Sequence, residues 1–274
     1  MTNGRAFALT ALAMLAFAGN SILCRLALKT TPIDAASLTS IRLVAGAMAL
    51  WAIVRLRGSA IGGGWCSALS LLAYAGMFSF AYLHLSAATG ALLLFAAVQA
   101  TMVGAGLRRG ERMNPTQWLG FIVAMAGLVV LLLPGLSAPS PLGAVLMAGA
   151  GVAWGVYSLR GRGAADPLGE TAGNFIRSAP LTLLVLPFFP LVRLPVDGVI
   201  YAVLSGALTS GCGYAIWYAA LRGLSATGAA TVQLSVPVIV AAAGVLLLGE
   251  PLSPRMLFAA AAILGGIALV LRKH

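Results

Sequence analysis

Residues Gly58–Leu107 read GSAIGGGWCSALSLLAYAGMFSFAYLHLSAATGALLLFAAVQATMVGAGL, a run of 50 positions without one Asp, Glu, Lys or Arg. A helix needs about 20 mostly apolar residues to cross the hydrocarbon core of a bilayer. The run is therefore too long for one crossing and predicts two, separated at its polar break His84–Thr89. Working outward, the same reading finds Ala6–Cys24 and Ala35–Val54 before it, the second interrupted only by Arg42. After it, Met113–Leu159 forms another double broken at Pro134–Pro141. Thr171–Val192, interrupted only by Arg177, is followed by Gly198–Leu221, Gly223–Gly249 and Ser253–Leu271. The expectation is an all-α integral membrane protein with ten transmembrane helices and short connections. The apolar stretch after Arg5 is read as a retained first span and not as a cleaved leader, because Asn20, Ser21 and Arg25 follow it and apolar segments continue to the end of the sequence.

Composition agrees. Hydrophobic residues make up 61% of the 274 positions and charged residues 8%, with a mean hydropathy of +1.00. A water-soluble domain carries roughly 25% charged residues, so a soluble globule is excluded. The net charge of +11 does not indicate nucleic acid, because the basic residues are scattered between apolar runs and not gathered on one face. Their distribution gives an orientation. Arg5, Arg55, Arg57, Arg108, Arg109, Arg112, Arg160, Arg162, Arg222, Arg272 and Lys273 fall on one side, and Arg25, Lys29, Arg193 and Arg255 on the other. Eleven against four places both termini in the cytoplasm. Cys24, Cys66 and Cys212 lie in or beside apolar runs without CxxC spacing, which indicates neither a disulfide framework nor a metal site.

The chain also repeats itself. Pro32 precedes Ile41-Arg42 as Pro167 precedes Ile176-Arg177, at an offset of 135. Thr89-Gly90-Ala91 matches Thr227-Gly228-Ala229 at 138, and Gly110-Glu111-x-x-x-Pro115 matches Gly249-Glu250-x-x-x-Pro254 at 139, as Gly127 matches Gly266. Asn114-Pro115 and Ser253-Pro254 each put a good N-cap before a proline at the first helical position, which marks helix starts. Two repeats follow, 1–135 and 136–274. Five spans per repeat is an odd number, so the second enters the membrane inverted. Inverted halves are how secondary transporters expose one central site alternately to each side.

On these duplicated marks the chain resembles the drug/metabolite transporter superfamily of the ten-span EamA type. Ala153-Trp154-Gly155 is similar to that family's Trp-Gly pattern, and Val236-Pro237-Val238 to its Pro-Val. The first half departs, with Phe17-Ala18-Gly19 in place of Trp-Gly and Gln99 where the repeat alignment puts Pro237. The resemblance implies a central cavity lined by spans 1–4 and 6–9, with 5 and 10 peripheral, and the export of small metabolites. Within the superfamily the chain most resembles bacterial aromatic amino-acid exporters of the inner membrane. The alternatives are export of drugs, nucleosides or another neutral metabolite.

Two groups of residues are candidates for the site. Arg42 and Arg177 lie inside apolar spans, where a cation costs about 2.5–3.5 kcal/mol on insertion scales. Each is read either as a gating or carboxylate-pairing residue or as a snorkelling side chain. Tyr82, Trp154, Tyr157, Tyr214, Trp217 and Tyr218 provide aromatic faces, three of them at i, i+3 and i+4 on span 8. Asn20, Asn174, Gln99 and Gln233 are amides inside spans and need partners. Together they fit a mostly apolar pocket with a few orienting polar groups. All six acidic residues, Asp34, Glu111, Asp166, Glu170, Asp197 and Glu250, fall at or beyond span ends, so tight proton or sodium coupling is expected to be weak or absent. No nucleophile, metal-ligand or nucleotide motif is present, so neither enzyme activity nor a cofactor nor a metal is expected. The expected partners are a small-molecule substrate and lipid, and nothing in the sequence specifies an oligomeric state.

Overall fold

The computed structural model of the chain describes residues 3–108, 110, 112–133, 138–161, 164–183, 194–221 and 232–271. Among these residues all regular structure is helical. In order they form α1 (Asn3–Thr30), α2 (Ala35–Arg57), α3 (Trp65–Ala81), α4 (Ala87–Arg108) and α5 (Pro115–Leu132). Next come α6 (Pro141–Gly161) and α7 (Pro167–Thr182), then a composite α8, α9 (Ser235–Leu248) and α10 (Pro254–Leu271). The composite α8 runs through Val196–Val203, a π-helical stretch Leu204–Cys212, and Gly213–Leu221. The charge-free run divides as expected, with α3 and α4 separated by a turn over 82–86.

Local chemistry sets the ends. Asp34 accepts the Ser37 amide at 2.8 Å and caps α2. Asn114 and Gln117 form a reciprocal capping box, each amide-to-side-chain bond 2.9 Å long, with Pro115 opening α5. Ser253 Oγ accepts the Met256 amide at 3.1 Å before α10. In the duplicated Gly-Glu-x-x-x-Pro element, Gly110 and Gly249 both take left-handed backbone, with φ of 88° and 61°. Only glycine adopts that region without cost, which gives the repeated glycine its reason. The seventh helix starts at Pro167 and not at Thr171 as the charge-free run indicated. Asp166 caps it and Glu170 stays in its first turn, where the helix dipole favours a carboxylate. The expected end of that span at Val192, the start of the ninth at Gly223, Glu111 and Thr227-Gly228-Ala229 lie outside the described residues.

Among the described residues, six helices are long and apolar enough to cross a membrane: α1, α2, α4, α5, α6 and α8. α3, α9 and α10 are shorter apolar helices. Their outer faces carry exposed Met48, Leu69, Ile122, Val145, Leu246 and Phe258, a surface suited to acyl chains and not to water. The protein is a multi-pass membrane protein. α5 packs chiefly along α10, while α2 packs on α7 and the π-helical stretch, α3 and α4 on α6, and α1 on α8 and α9.

Close backbone approach holds the helices together, as expected where lipid offers no hydrophobic drive between them. A Cβ at Gly206 would collide with the Arg42 carbonyl oxygen and lie 2.8 Å from the Arg42 carbonyl carbon and Cα. All three obstacles are backbone, so α2 and α8 would have to part. Gly206→Ala should therefore lower stability by about 1–3 kcal/mol, the usual cost of overpacking. Gly76→Ala, where an added Cβ meets nothing within 4 Å, is the control and should be neutral or stabilising. Thermal unfolding in detergent separates the two, and equal melting temperatures would refute the assignment of this contact.

Candidate substrate cavity

One face of α1 carries Phe17, Asn20, Ser21, Cys24 and Arg25, spaced i, i+3, i+4, i+7 and i+8. At 1.5 Å per residue the ladder rises about 12 Å along the helix axis. Its lower rungs meet the other elements in a narrow cavity lined by Phe17, Asn20, Ser21, Tyr74, Leu94, Phe95, Trp154 and Tyr214. The walls come from α1, α3, α4, α6 and α8. The space holds about one water molecule.

Aromatic rings make most of the lining. The Trp154 ring centroid is 4.9 Å from that of Tyr74, 4.8 Å from Tyr214 and 5.5 Å from Tyr157. Phe17 stands edge-on to Trp154, Tyr214 and Trp217 at 6.3, 5.9 and 5.7 Å. These are tilted and edge-to-face contacts, with Trp154 and Tyr157 stacked, the arrangements that ring quadrupoles favour. Asn20 is the polar centre. Its Nδ2 donates to Tyr74 Oη at 3.3 Å, and its Oδ1 accepts from Ser205 Oγ at 2.7 Å and from Ser210 Oγ at 3.4 Å. Ser205 and Ser210 are five apart, which on an α-helix would turn them about 140° away from each other. The π-helical stretch between Leu204 and Cys212 brings both onto Asn20.

One rung further along α1, buried Arg42 donates to Cys24 Sγ at 2.8 Å and Ser79 Oγ at 3.4 Å, and lies 5.2 Å from the Phe78 ring centroid. The last rung is a lock. Arg25 Nε pairs with Glu250 Oε1 at 2.7 Å, Arg25 Nη1 donates to the Tyr82 carbonyl at 2.7 Å, and the Ala87 amide donates to Glu250 Oε2 at 2.7 Å. Lys29 Nζ adds a bond to the Leu248 carbonyl at 2.5 Å. Three separate segments, α1, the α3–α4 turn and the α9–α10 connection, are tied at one end of the cavity. Glu250 stands at a helix end as expected, yet is only 6% exposed. Arg25–Glu250 is the one side-chain ion pair found among the described residues.

Of the residues singled out by sequence, Asn20, Trp154 and Tyr214 line the cavity. Tyr157 and Trp217 stand one ring behind, against Trp154 and Phe17 respectively. Tyr82 is fully buried, edge-on to Phe78 at 4.8 Å, and joins the lock through its carbonyl. Arg177 lies elsewhere, donating to the Gly62 and Gly173 carbonyls at 2.7 and 2.9 Å and so tying the α2–α3 connection to α7. Asn174 joins it there, accepting from the Gly64 amide at 2.9 Å and donating to Tyr157 Oη at 3.5 Å. Gln99 lines a second, almost wholly apolar cavity among α4, α5 and α10. Gln233 is buried just before α9, and the Tyr218 side chain lies outside the described residues.

Sequence reading did not single out Phe17, Tyr74, Ser205 or Ser210 as site residues. Tyr74, Phe78 and Tyr82 form an i, i+4, i+8 aromatic stripe that could have revealed the second ring. No α-helical periodicity joins Ser205 to Ser210.

The profile of the EamA-like transporter family matches the chain twice, over residues 4–133 and 141–272. An uncharacterized Pseudomonas aeruginosa protein is 56% identical over 275 residues, covering 99% of this chain and 96% of its own. A Streptantibioticus cattleyicolor protein described as a probable terminal-alkyne amino-acid exporter is 29% identical over 218 residues, 76% of this chain and 72% of that one. A protein crystal structure superposes with a TM-score of 0.71 over 98% of each chain at 21% identity, a likeness of fold alone.

Proposed function

Since this chain belongs to the EamA-like transporter family, we propose that it exports aromatic or hydrophobic amino acids across the bacterial inner membrane by alternating access. The reading takes ten spans with both termini cytoplasmic, built as two inverted halves, 1–135 and 136–274. The helix contacts support the two-fold repeat. Exchanging α1–α5 for α6–α10 turns the α3–α6 contact into α8–α1, α4–α6 into α9–α1 and α3–α7 into α8–α2, all of which occur. The α2–α7 and α5–α10 contacts map onto themselves.

One observation carries the reading: the aromatic cavity is shared between the halves, with Phe17, Asn20 and Tyr74 from the first and Trp154 and Tyr214 from the second. Relative movement of the halves opens or closes it. The lock at Arg25 and Glu250 closes the extracytoplasmic end in the proposed orientation. Ring faces suit a flat apolar side chain, and the Asn20 amide with Arg42 behind it suits a carboxylate. Arg177, Gln99, Gln233 and Tyr218 belong to the proposal as gate or second-rank residues. Ion pairing of Glu250 with Arg25 supports a structural role for that acid, and export down a concentration gradient as the mode.

Proteoliposome uptake of labelled phenylalanine, threonine, a nucleoside and ethidium, with and without a pH gradient, tests this. Phenylalanine should move without a strict requirement for the gradient. Ethidium transport with no amino-acid transport would refute the substrate, and strict dependence of uphill movement on the gradient would refute the mode.

A further inference from the structure

Arg42 is 2% exposed, and none of its acceptors, Cys24, Ser79 and the face of Phe78, is a carboxylate. The chain's acidic residues number six. Asp34 and Asp166 cap α2 and α7, Glu170 and Asp197 occupy the first turns of α7 and α8, and Glu250 is held by Arg25 and the Ala87 amide. Glu111 lies outside the described residues. Among the described residues, no carboxylate pairs with Arg42. A cation buried in the membrane interior is normally paired or marks a ligand path.

The adjoining cavity has the complementary property. Its polar groups are Asn20, Ser21, Tyr74 and Tyr214, without a charge among them. Asn20 Oδ1, the acceptor an ammonium would seek, already receives Ser205 and Ser210. Ser205 connects onward, its Oγ 4.0 Å from Cys24 Sγ, which accepts from Arg42. The cavity therefore stands two side chains from a buried cation that has no carboxylate partner among the described residues, and offers an incoming ammonium only neutral hydroxyls and ring faces.

We propose that the site takes aromatic monocarboxylates as net monoanions, the carboxylate compensating Arg42, and that an α-ammonium is dispensable. The inference rests on the cavity being the substrate site and deepens that reading. Arg42 with a monoanion sums to zero charge, whereas Arg42 with a zwitterion leaves one positive charge in a low-dielectric interior. Desolvation and Coulomb attraction both favour the first. An amino acid still binds, with its ammonium against ring faces, but gains little from that group.

The test is calorimetric binding to the full-length protein in nanodiscs at neutral pH, with 3-phenylpropanoate, phenylalanine and phenethylamine as probes that share one ring. Competition with labelled phenylalanine uptake is measured in parallel. The expected result is 3-phenylpropanoate at least as tight as phenylalanine, and phenethylamine at least about tenfold weaker, a gap of about 1.4 kcal/mol. Arg42→Gln should abolish the ranking and Arg42→Lys preserve its order. If Arg42→Gln does not fold, the ranking on the unaltered protein still decides. Phenylalanine binding more tightly than 3-phenylpropanoate overturns the inference and leaves amino-acid export standing. Binding of 3-phenylpropanoate without phenylalanine supports the inference and overturns amino-acid export. Binding of neither overturns both.

Discussion

Glu250→Ala, in a Cys66→Ser, Cys212→Ser background, should raise the rate at which a membrane-impermeant maleimide labels Cys24 by about 100-fold. Cys24 is fully buried, one residue before Arg25, between the lock and the cavity. It reacts only when the lock opens. Removing one partner of a buried ion pair costs about 3–5 kcal/mol, because the remaining charge is stranded. Arg25 keeps 18% of its side chain exposed, which argues for the lower figure, about 3 kcal/mol, and each 1.4 kcal/mol is about a factor of ten. That energy is lost only from the closed state, so it appears as a shift of population toward the open one. Arg25→Gln should act in the same direction, since it leaves Glu250, the more buried partner, with the Ala87 amide alone. The charge swap should restore protection only in part, because arginine at position 250 cannot accept that amide. Labelling should come from the extracytoplasmic side. Unchanged labelling in Glu250→Ala would mean that these contacts fasten the helices without gating anything.

Trp154→Ala should reduce transport of an aromatic substrate by about tenfold to 100-fold. The indole touches Tyr74, Tyr157, Tyr214 and Phe17, so it is the common member of the ring cluster. Its loss removes a stacking surface and lets the remaining rings collapse into the space. Two aromatic contacts of about 0.5–1.5 kcal/mol each account for the expected range. Trp154→Phe keeps a ring and should recover much of the activity, while Trp217→Ala, which removes one ring contact, that with Phe17, should do less damage. Initial rates of labelled phenylalanine uptake, normalised to monodisperse protein, give the comparison. Equal rates for Trp154→Ala and the unaltered protein would place the substrate elsewhere.

The membrane fold was legible because lipid imposes a length and a polarity on every crossing, and Gly58–Leu107 satisfies both twice over. Helix starts at Pro115 and Pro254 were legible because caps are local chemistry. The start at Pro167 was misjudged by four residues because Glu170 was counted as a boundary, although a first-turn carboxylate belongs inside the helix. The site was harder to read. Trp154 and Tyr214 announce themselves as aromatics within spans, but Arg42 and Arg177, alike in sequence, differ in surroundings: one faces a thiol and a ring, the other two backbone carbonyls. What separates them is the path of neighbouring helices, which no single window of sequence contains. Gln99 shows the same limit, since nothing local says that its amide faces α5 and α10.

The π-helical stretch of α8 makes this span sensitive to deletion in a way its composition hides. Each i→i+5 bond encloses one residue more than an α-turn, so the stretch holds slack that a rewound helix would not. Tyr214 and Trp217 lie just beyond it, in Gly213–Leu221. Losing one residue from Leu204–Cys212 could be absorbed by rewinding the turns, without shortening the α-helical parts on either side. A rewound α8 would separate Ser210 from Ser205 and turn the following aromatics by about 100° for each residue not compensated. Length variation here thus acts as a rotary adjustment of the cavity wall, with every side chain chemically unchanged.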